Sequence, residues 1–507
     1  MTQATFRRQI ASDASTPSQD LDSRSVKLTS NEMPSASGVR IAGDDYQWLY
    51  AWRICMEALH ENITGNTTNP IVAIGVEEPG VGNGDDVVLH RRQPPNAYQQ
   101  VKYGVDNRTA VGLDWLDYEG ILRKMIKAHR NLTAGGTTVE MRLVTNRTID
   151  PQDLLLRDRD ARDGRLLPRA AQGNARSDRG KARAEWAATA ETDEPTLLAF
   201  LDDFHLDVAY DIERLRKDIS LLMTANGLQS DEAAVRRGAD WISQQVIAGH
   251  RRVSIGDINA AVSALDLHAG SPWTTISVAT IKHDQIAHQA AVSIDWVERF
   301  LGDTDGTRIE PAQPFTWDDL AADIRTIPDR LSGERRILVS GHIRQATGFL
   351  IGSVLRRVLG FEVGVRHKDQ LWTSEEATHD YAIARDEQAM GAGADTAIIV
   401  NISADAARDT IEWIQETNLP VSRVVTITPA AGAGPNAVPT PSSANSAAVA
   451  IRDVARRYSR VGNIHLFLIG PLGLAVLLGH HWNRVATTHV YEHLGGPAYV
   501  RAFTVAQ

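Results

Sequence analysis

The stretch NGDDVVLHRRQPPNAYQQVKYGVD, residues 83–106, contains two short runs of strand-forming residues separated by a pair of prolines. It predicts two neighbouring β-strands, with Asp85 and Asp86 at the start of the first. Residues two apart on a strand point to the same side of a sheet, so Gln100 and Lys102 are expected to project together. An antiparallel neighbour can place one aspartate opposite Lys102, but a register shift of one residue changes which aspartate it is.

A carboxylate, an amide and an amine on one sheet surface suit metal-dependent hydrolysis of phosphodiesters. The carboxylate of Asp86 can hold a hard divalent cation, Mg²⁺ or Mn²⁺, and Mg²⁺ keeps several of its waters. Such a cation lowers the pKa of a bound water and neutralises charge on the phosphate. Lys102 can orient or deprotonate that water, and the amide of Gln100 can bind the cation or position the water. A Gln-x-Lys triplet alone is a weak signal, and the alternative is a solvated hairpin with a salt bridge.

The order of these residues resembles the PD-(D/E)XK nuclease superfamily in its Gln-x-Lys variant, as in Mrr-like restriction enzymes. The stretches DDYQWLYAWRICMEAL, VEEPGVGNGDDVV and YQQVKY are similar to the endonuclease half of the effectors that cut double-stranded DNA in bacterial CBASS antiphage defence. The resemblance implies a restriction-endonuclease-like α/β/α domain with largely non-specific activity on double-stranded DNA.

The resemblance also implies roles for individual residues. Asp86, Gln100 and Lys102 are expected to be catalytic, with Asp86 and Gln100 on the metal. Glu57, on the first helix, is a weaker candidate for a further contact, and so is Glu78, or its neighbour Glu77, before the turn.

Composition divides the 507 residues into a tail and two halves. Residues 1–30 read as a disordered tail without the apolar core of a secretory signal. Residues 31–265 are expected to form the nuclease domain, which becomes helical from about residue 150. Within it, residues 157–183 form a charged run expected to be exposed, more often a solvated loop than a DNA contact.

Residues 266–507 alternate apolar strands with helices, which is typical of a doubly wound α/β sheet with parallel strands. Residues 429–446, rich in Pro, Gly, Ala and Ser, are expected to be a flexible loop. A weak internal repeat is present, since ILVSGHIRQATGFLIGSVL and LFLIGPLGLAVLLGHHW each join a strand, a glycine and a helix. Ligands of such sheets bind at the carboxyl ends of the strands. The residues expected there are Ser340, Gly341 and His342 in the first unit and Gly470, Pro471 and Gly473 in the second.

The stretch HLFLIGPLGLAVLLGHHWNRV, with VSGHIRQATGF upstream and VYEHLG downstream, resembles the SAVED domain, a fusion of two CARF-like units that senses cyclic oligonucleotides. The resemblance implies a cyclic tri- or other oligonucleotide as the ligand. Trp372 is suited to stack on a purine, and His342, Arg344 and Arg366 to meet phosphates. The alternative for Trp372 is burial in the core, and His480 and its two neighbours are expected to pack.

Together these features predict an α/β nuclease gated by a cyclic oligonucleotide, with ligand joining subunits head to tail. Two other functions stay open: a sensor or scaffold without enzymatic activity, and an enzyme that uses a nucleotide cofactor. The single cysteine, Cys55, fits a reducing cytoplasm, and no segment is long and apolar enough to span a membrane. The net charge of −10 means that DNA contact requires a local basic patch.

Overall fold

Three β-sheets with helices packed against them form the described part of the chain in this computed structural model. The structure describes residues 36–65, 67–79, 86–106, 108–284, 286–367, 370–460, 462–496 and 498–506. The predicted α/β class is confirmed. The tail at 1–30 and Asp85 lie outside the described residues.

The part of the chain that forms the first sheet begins with a long helix followed by strands, as predicted. Its elements are α1 (Ala36–Thr64), β1 (Ile71–Val76), β2 (Val87–Arg91), β3 (Asn96–Lys102), α2 (Leu113–Tyr118), α3 (Ile121–Thr133), β4 (Val139–Thr145), α4 (Asp178–Thr189), α5 (Glu194–Asp202), β5 (Phe204–Asp207), α6 (Ile212–Ala225), α7 (Glu232–Ile247), β6 (Arg252–Ser254) and α8 (Ile255–Ala264). The strand order is β5-β4-β3-β2-β1-β6, with β3, β4 and β5 parallel and the other neighbours antiparallel.

Alternating residues of β2 and β3 divide between two cores. Val87 and Val101 belong to the core that α1, α6 and α7 cover, whereas Val88 and Tyr98 belong to the core beneath α3 and α5. Side chains of odd and even number therefore point to opposite faces of the sheet, as strand geometry requires. The result is a sheet enclosed by helices on both faces.

The expectation that residues 150–265 are helical is wrong for two segments. These are the strands β5 and β6, which lie at the two opposite edges of the sheet. The sequence of β5, FHLD, is short and lies between helical segments, and such a short run cannot be told from a helix by periodicity. The charged run 157–183 is also not wholly exposed. Arg183 is 4% exposed and donates hydrogen bonds to backbone carbonyls and to Glu194 at 2.6 Å.

The second sheet has the order β11-β10-β9-β7-β8, with only β11 antiparallel to its neighbour. Its elements are β7 (Thr274–Ala279), β8 (Val292–Asp295), α9 (Trp317–Arg325), α10 (Ile327–Arg330), β9 (Arg336–Ser340), α11 (Gln345–Val354), β10 (Glu362–His367) and β11 (Gln370–Thr373).

The third sheet has the order β12-β14-β13-β15-β16-β17, with antiparallel strands at both edges. Its elements are β12 (Ile383–Ala389), β13 (Asp395–Asn401), α12 (Ala407–Glu416), β14 (Val421–Pro429), α13 (Pro441–Tyr458), β15 (Ile464–Ile469), α14 (Leu472–His481), β16 (Thr488–His493) and β17 (Tyr499–Val505). The expected loop at 429–446 is therefore shorter, because Thr440 caps α13 and Pro441 occupies its first turn.

The weak internal repeat corresponds to β9 with α11 and to β15 with α14. These two helices pack against each other through glycines. A Cβ atom on Gly352 would lie 2.0 Å from the backbone oxygen of Val476, and one on Gly479 would lie 2.0 Å from that of Phe349. The repeat thus corresponds to two units, each with its own sheet, and the structure shows that they meet at a tight helix contact.

Among the helices that the structure describes, none combines the length and the apolar character that crossing a membrane requires.

Candidate functional site

The first cluster of chemically active side chains lies where β2 and β3 pair. Val87 lies opposite Gln99, so the same antiparallel register places Asp86 opposite Gln100. The Gln100 side-chain amide and the Val101 backbone N–H both donate to one carboxylate oxygen of Asp86, the second at 2.8 Å. The structure therefore brings Asp86 and Gln100 into direct contact.

Lys102 shares the sheet face of Gln100, since the two residues are separated by one position on β3. Burial raises the pKa of the Asp86 carboxyl group, and the positive charge of Lys102 opposes that effect. Asp86 and Lys102 thus lie close enough for their charges to interact.

The end of β3 is fixed by Asn146, a residue that sequence analysis missed. The backbone N–H of Gly104 donates to the Asn146 side chain at 2.9 Å, and that side chain donates back to the Gly104 carbonyl at 2.8 Å. Thr145, just before Asn146, lies beside Lys102 on the parallel strand β4. No local motif in the sequence marks this contact, because it joins two strand ends that are 42 positions apart.

The structure does not bring Glu57 to this cluster, which corrects its expected position. Glu57 lies on α1, and α1 covers the face of the sheet opposite to Gln100. It forms an ion pair with Arg53 at 3.1 Å and a contact with His288 at 3.0 Å. A helix that carries an acidic residue before β1 is therefore not enough to place that residue in the cluster.

Glu78 has other partners as well. Its carboxylate bonds the ring of His90 at 2.6 Å and lies 3.7 Å from Arg252. Glu77 pairs with Arg251, while its backbone N–H donates to the Asp86 carbonyl at 3.1 Å. Neither glutamate forms a hydrogen bond with the Asp86 side chain in the part of the chain that the structure describes, although the charge of Glu77 acts to raise the pKa of Asp86.

The candidate metal ligands that remain at the cluster are the side-chain oxygens of Asp86 and Gln100. Carboxylate and amide oxygens are ligands that Mg²⁺ accepts, usually with several waters retained. Asp86 is also a partly buried acid without a short ion pair to a described residue, which leaves room for a cation to stabilise its ionised form. The residues present fit a hard divalent cation, although no group of three acidic, His or Cys ligands occurs among the described residues.

A second polar region lies at the carboxyl end of β9. The Ser340 and Ser277 hydroxyls donate to Asp284 at 2.7 and 2.8 Å. Gly341 has a φ of +106°, and a side chain there would collide with the backbone of Val278 on the neighbouring strand. A glycine is therefore required where the chain leaves β9.

Beyond that glycine, the start of α11 approaches the start of α14. The Gln345 side chain donates to the carbonyl of Gly470, and the backbone N–H of Ala346 donates to Glu492 at 2.9 Å. Burial raises the pKa of Glu492 to about 7, which the Ala346 hydrogen bond partly opposes. The two strand–glycine–helix segments thus meet at one place.

Residues 320–505, which include both segments, match the family model described as the SMODS-associated and fused to various effectors sensor domain, SAVED. These residues form a SAVED domain. The match begins within α9, so β7 and β8 of the second sheet precede it.

A homologous protein extends the similarity to most of the chain. CD-NTase-associated protein 4 of Enterobacter hormaechei subsp. hoffmannii (strain UCI 50) is 22% identical over 509 residues, which cover 89% of this chain and 95% of that protein. The similarity therefore includes the N-terminal half as well as the SAVED domain.

Two solved receptors described as Cap4 SAVED/CARF-domain containing also match. The receptor of Acinetobacter baumannii with the cyclic trinucleotide 3′3′3′-cAAA is 13% identical, with a TM-score of 0.38 over 94% of this chain and 99% of that one. The receptor of Moraxella osloensis is 16% identical, with a TM-score of 0.37 over 92% and 99%. At such TM-scores the likeness carries no structural argument for this chain.

Within the SAVED domain, Arg344 and Arg366 are not equivalent. Arg344 donates to the carbonyl of Arg308, in the loop before α9. Arg366, at the carboxyl end of β10, donates instead to the hydroxyls of Ser220 at 2.6 Å and Ser230 at 2.9 Å, outside the SAVED domain. The structure therefore places Arg366 in a contact with α6 rather than beside Gly470.

Trp372 is 1% exposed, which agrees with the alternative interpretation that its side chain is buried in the core. Its ring lies 4.2 Å from that of His367 and directly against Gly473, where a side chain would collide with it. A cavity of about 220 Å³ nevertheless reaches Trp372, between His367 on β10 and the loop at Pro435 and Asn436. Trp372 is thus part of both the core and a cavity wall.

His480, His481 and Trp482 pack, as expected, with exposures of 0 to 2%. The His480 ring bonds the carbonyl of Leu355, and that of His481 bonds Asn445 at 2.6 Å. Burial lowers the pKa of both histidines, to about 4 and about 3, so both are neutral at physiological pH. They help to join α14 to its neighbours.

Proposed function

We propose that this protein is a DNA endonuclease that becomes active when its SAVED domain binds a cyclic oligonucleotide, as an effector of CBASS antiphage defence. The observation that carries the proposal is the convergence of Asp86, Gln100 and Lys102 on one sheet face in a chain that also contains a SAVED domain. A stimulus-dependent sensor joined to a hydrolytic centre suits an activity that would harm the cell if it were constant.

Each residue of the cluster has a separate task in phosphodiester hydrolysis. Asp86 and Gln100 would hold a divalent cation, which supplies a more acidic water and neutralises charge on the phosphate. The ammonium group of Lys102 stabilises the negative charge that develops on the phosphate oxygens as water attacks phosphorus and the P–O bond breaks. Asn146 fixes the backbone just after Lys102 and so limits the positions that its amine can take.

The proposed messenger site lies where the two SAVED units meet. Ser340 is the last residue of β9, and Gly341 and His342 follow it, while Gly470 and Pro471 precede α14 and Gly473 lies in its first turn. Helix starts can present free backbone N–H groups to phosphates, although that of Ala346 already donates to Glu492. Arg344 lies beside this junction, and the cavity at Trp372 is a place for a base. Arg366 is better assigned to transmission of the signal, because it already bonds α6.

The direct test mixes the full-length protein with Mg²⁺, linear double-stranded DNA and a panel of cyclic di- and trinucleotides. We expect fragments only with a matching messenger, and a loss of rate of about 10²-fold or more in Lys102→Ala. The matched control is Lys127→Ala, which removes an exposed lysine of α3. A Lys102→Ala protein that cuts like the wild type would reject this catalytic centre.

Binding and assembly are measured separately. Calorimetry with the same panel identifies the messenger, and binding without any cleavage would favour a sensor or scaffold without enzymatic activity. Light scattering with and without messenger tests self-association, for which a head-to-tail contact is expected to increase the mass. Full cleavage at unchanged mass would reject assembly as the switch.

A further inference from the structure

A cavity of about 300 Å³ lies between the first domain and the first unit of the sensor half. From the first domain it is lined by Arg159, which belongs to the charged run, and by Arg214 at the start of α6. From the other side it is lined by Lys282, after β7, and by Arg308. Four cationic side chains from two domains therefore surround one space.

Each carboxylate that lines this cavity is paired with another side chain, although Asp207 and Asp160 also act on Arg159. The pairs are Asp160 with Arg162 at 2.7 Å, Asp207 with Arg142 at 2.8 Å, and Glu298 with His283 at 3.3 Å.

Arg159, Arg214 and Lys282, by contrast, form no ion pair with a carboxylate of the residues described here, whereas Arg308 lies 3.9 Å from Asp305. Arg214 lies over the ring of Tyr210 at 5.4 Å, and the Nε atoms of Arg159 and Arg308 are buried without a hydrogen-bond partner. Burial lowers the pKa of Arg159 and the charge of Arg214 adds to that effect, whereas the charges of Asp207 and Asp160 oppose it. Arg159, Arg214 and Lys282 are half-buried cations without a carboxylate partner, and a bound anion would offset the cost of removing their charges from water.

We propose that this cavity binds a small phosphate-bearing anion, either free phosphate or the phosphate group of a mononucleotide, and that the occupant links the two domains. Planar guanidinium groups bind phosphate oxygens in pairs, and a lysine adds a compact charge. The volume is at the lower end of the range for small-molecule sites, which suits a ligand of mononucleotide size or less. The cavity adjoins the junction assigned to the cyclic messenger, because Arg344 donates to the Arg308 carbonyl and Lys282 pairs with His342, but its binding of phosphate does not depend on DNA cleavage.

The test uses the full-length protein without Mg²⁺, at constant ionic strength maintained with NaCl. Inorganic phosphate and AMP are titrated separately while the unfolding temperature is followed. We expect a saturable increase, because a ligand that binds only the folded state stabilises it. Equal effects of the two would identify the phosphate group as the ligand, and tighter binding of AMP would identify a nucleotide.

Two variants and a control locate the effect. Arg159→Gln and Lys282→Met should each weaken phosphate binding by at least about tenfold, whereas Arg176→Gln, which changes an exposed arginine of the same charged run, should not. Without phosphate, Arg159→Gln should unfold at the same or a higher temperature, because it removes an unpaired cation. A wild type without a saturable response, or an equal response in all four proteins, would overturn the proposal.

Discussion

At the level of single residues, the surroundings of Asp86 act on the pKa of its carboxyl group in two opposite directions. Burial favours its neutral form and raises its pKa, whereas Lys102, the Val101 N–H and the Gln100 amide favour the charged form. Burial has the larger effect, so the carboxyl group is harder to ionise than an ordinary aspartate. A bound divalent cation would restore the charged form, which links metal binding to proton release.

DNA cleavage should therefore decrease as the pH falls through the raised pKa of Asp86, because a protonated carboxyl group cannot hold the cation. The measurement is the initial rate against pH at several Mg²⁺ concentrations, with circular dichroism at each pH to confirm folding. More Mg²⁺ should be needed at lower pH, and Asp86→Asn should be inactive throughout. A rate that stays constant down to about pH 4, where an unperturbed aspartate titrates, would contradict this prediction.

Glu57 differs from Asp86 in function as well as in position. Burial alone would raise its pKa, but Arg53 and His288 outweigh that effect and lower it. A carboxyl group with a lowered pKa stabilises the fold above its usual pKa, and this stabilisation is lost as the pH falls toward the lowered value.

We expect Glu57→Gln to reduce the free energy of unfolding by about 3–5 kcal/mol, because the change leaves Arg53 buried without its charge partner. DNA cleavage should persist at temperatures where the variant remains folded. Denaturant unfolding and cleavage assays measure the two effects. The control is Glu412→Gln, which breaks an exposed pair with Arg408 and should cost less than about 1 kcal/mol. If the folded Glu57→Gln variant lost DNA cleavage, Glu57 would have to be assigned to the catalytic centre after all.

At the level of elements, the close contact between α11 and α14 depends on glycines, which have no side chain. Gly348, Gly352 and Gly479 let one helix approach the other, and a Cβ atom at any of them would meet atoms of the opposite helix. The starts of both helices carry the proposed messenger residues, so their spacing defines that site.

Gly352→Ala should therefore destabilise the SAVED domain by about 1–3 kcal/mol or more, because its Cβ would meet the Val476 carbonyl. The control is Gly256→Ala on α8, where no atom lies within 3.4 Å of the added Cβ and alanine favours the helix. Thermal unfolding measures both variants. A Gly352→Ala protein as stable as the wild type would show that the helices separate without cost.

At the level of the whole molecule, side-chain contacts of Glu57 and Arg366 are among those that connect the first domain to the sensor half. Glu57 on α1 bonds His288, and Arg366 on β10 bonds Ser220 and Ser230 around α6. Arg366 ends a strand whose carboxyl edge belongs to the proposed messenger region. A messenger can influence the nuclease only if the two arrangements of the protein bind it with different affinity, and these contacts are where such arrangements can differ.

The double variant His288→Ala with Arg366→Ala should unfold in thermal transitions that are further apart than those of the wild type, because less free energy couples the domains. Differential scanning calorimetry measures the separation, and limited proteolysis between α8 and β7 should become faster. Arg408→Ala, an exposed change on α12, serves as the control. Unchanged transitions and proteolysis would show that these contacts do not couple the domains.

Local patterns predicted much of this architecture because they depend on neighbouring residues. The alternation on β3 predicts the shared face of Gln100 and Lys102, and the structure places Asp86 opposite Gln100. The repeated strand–glycine–helix segments predict two units. Strand β5 was missed because four residues are too few for a period to be recognised.

The sequence by itself determined the α/β class, the elements of the SAVED domain and the residues that form the acid–amide–amine cluster, since each depends on short-range spacing. Only the tertiary structure decided that Glu57 faces away from that cluster, that Arg366 bonds α6, and that unpaired cations from two domains share one cavity. The physical reason is that ion pairing and burial depend on residues brought together from distant positions, and no local period encodes which distant partner neutralises a charge.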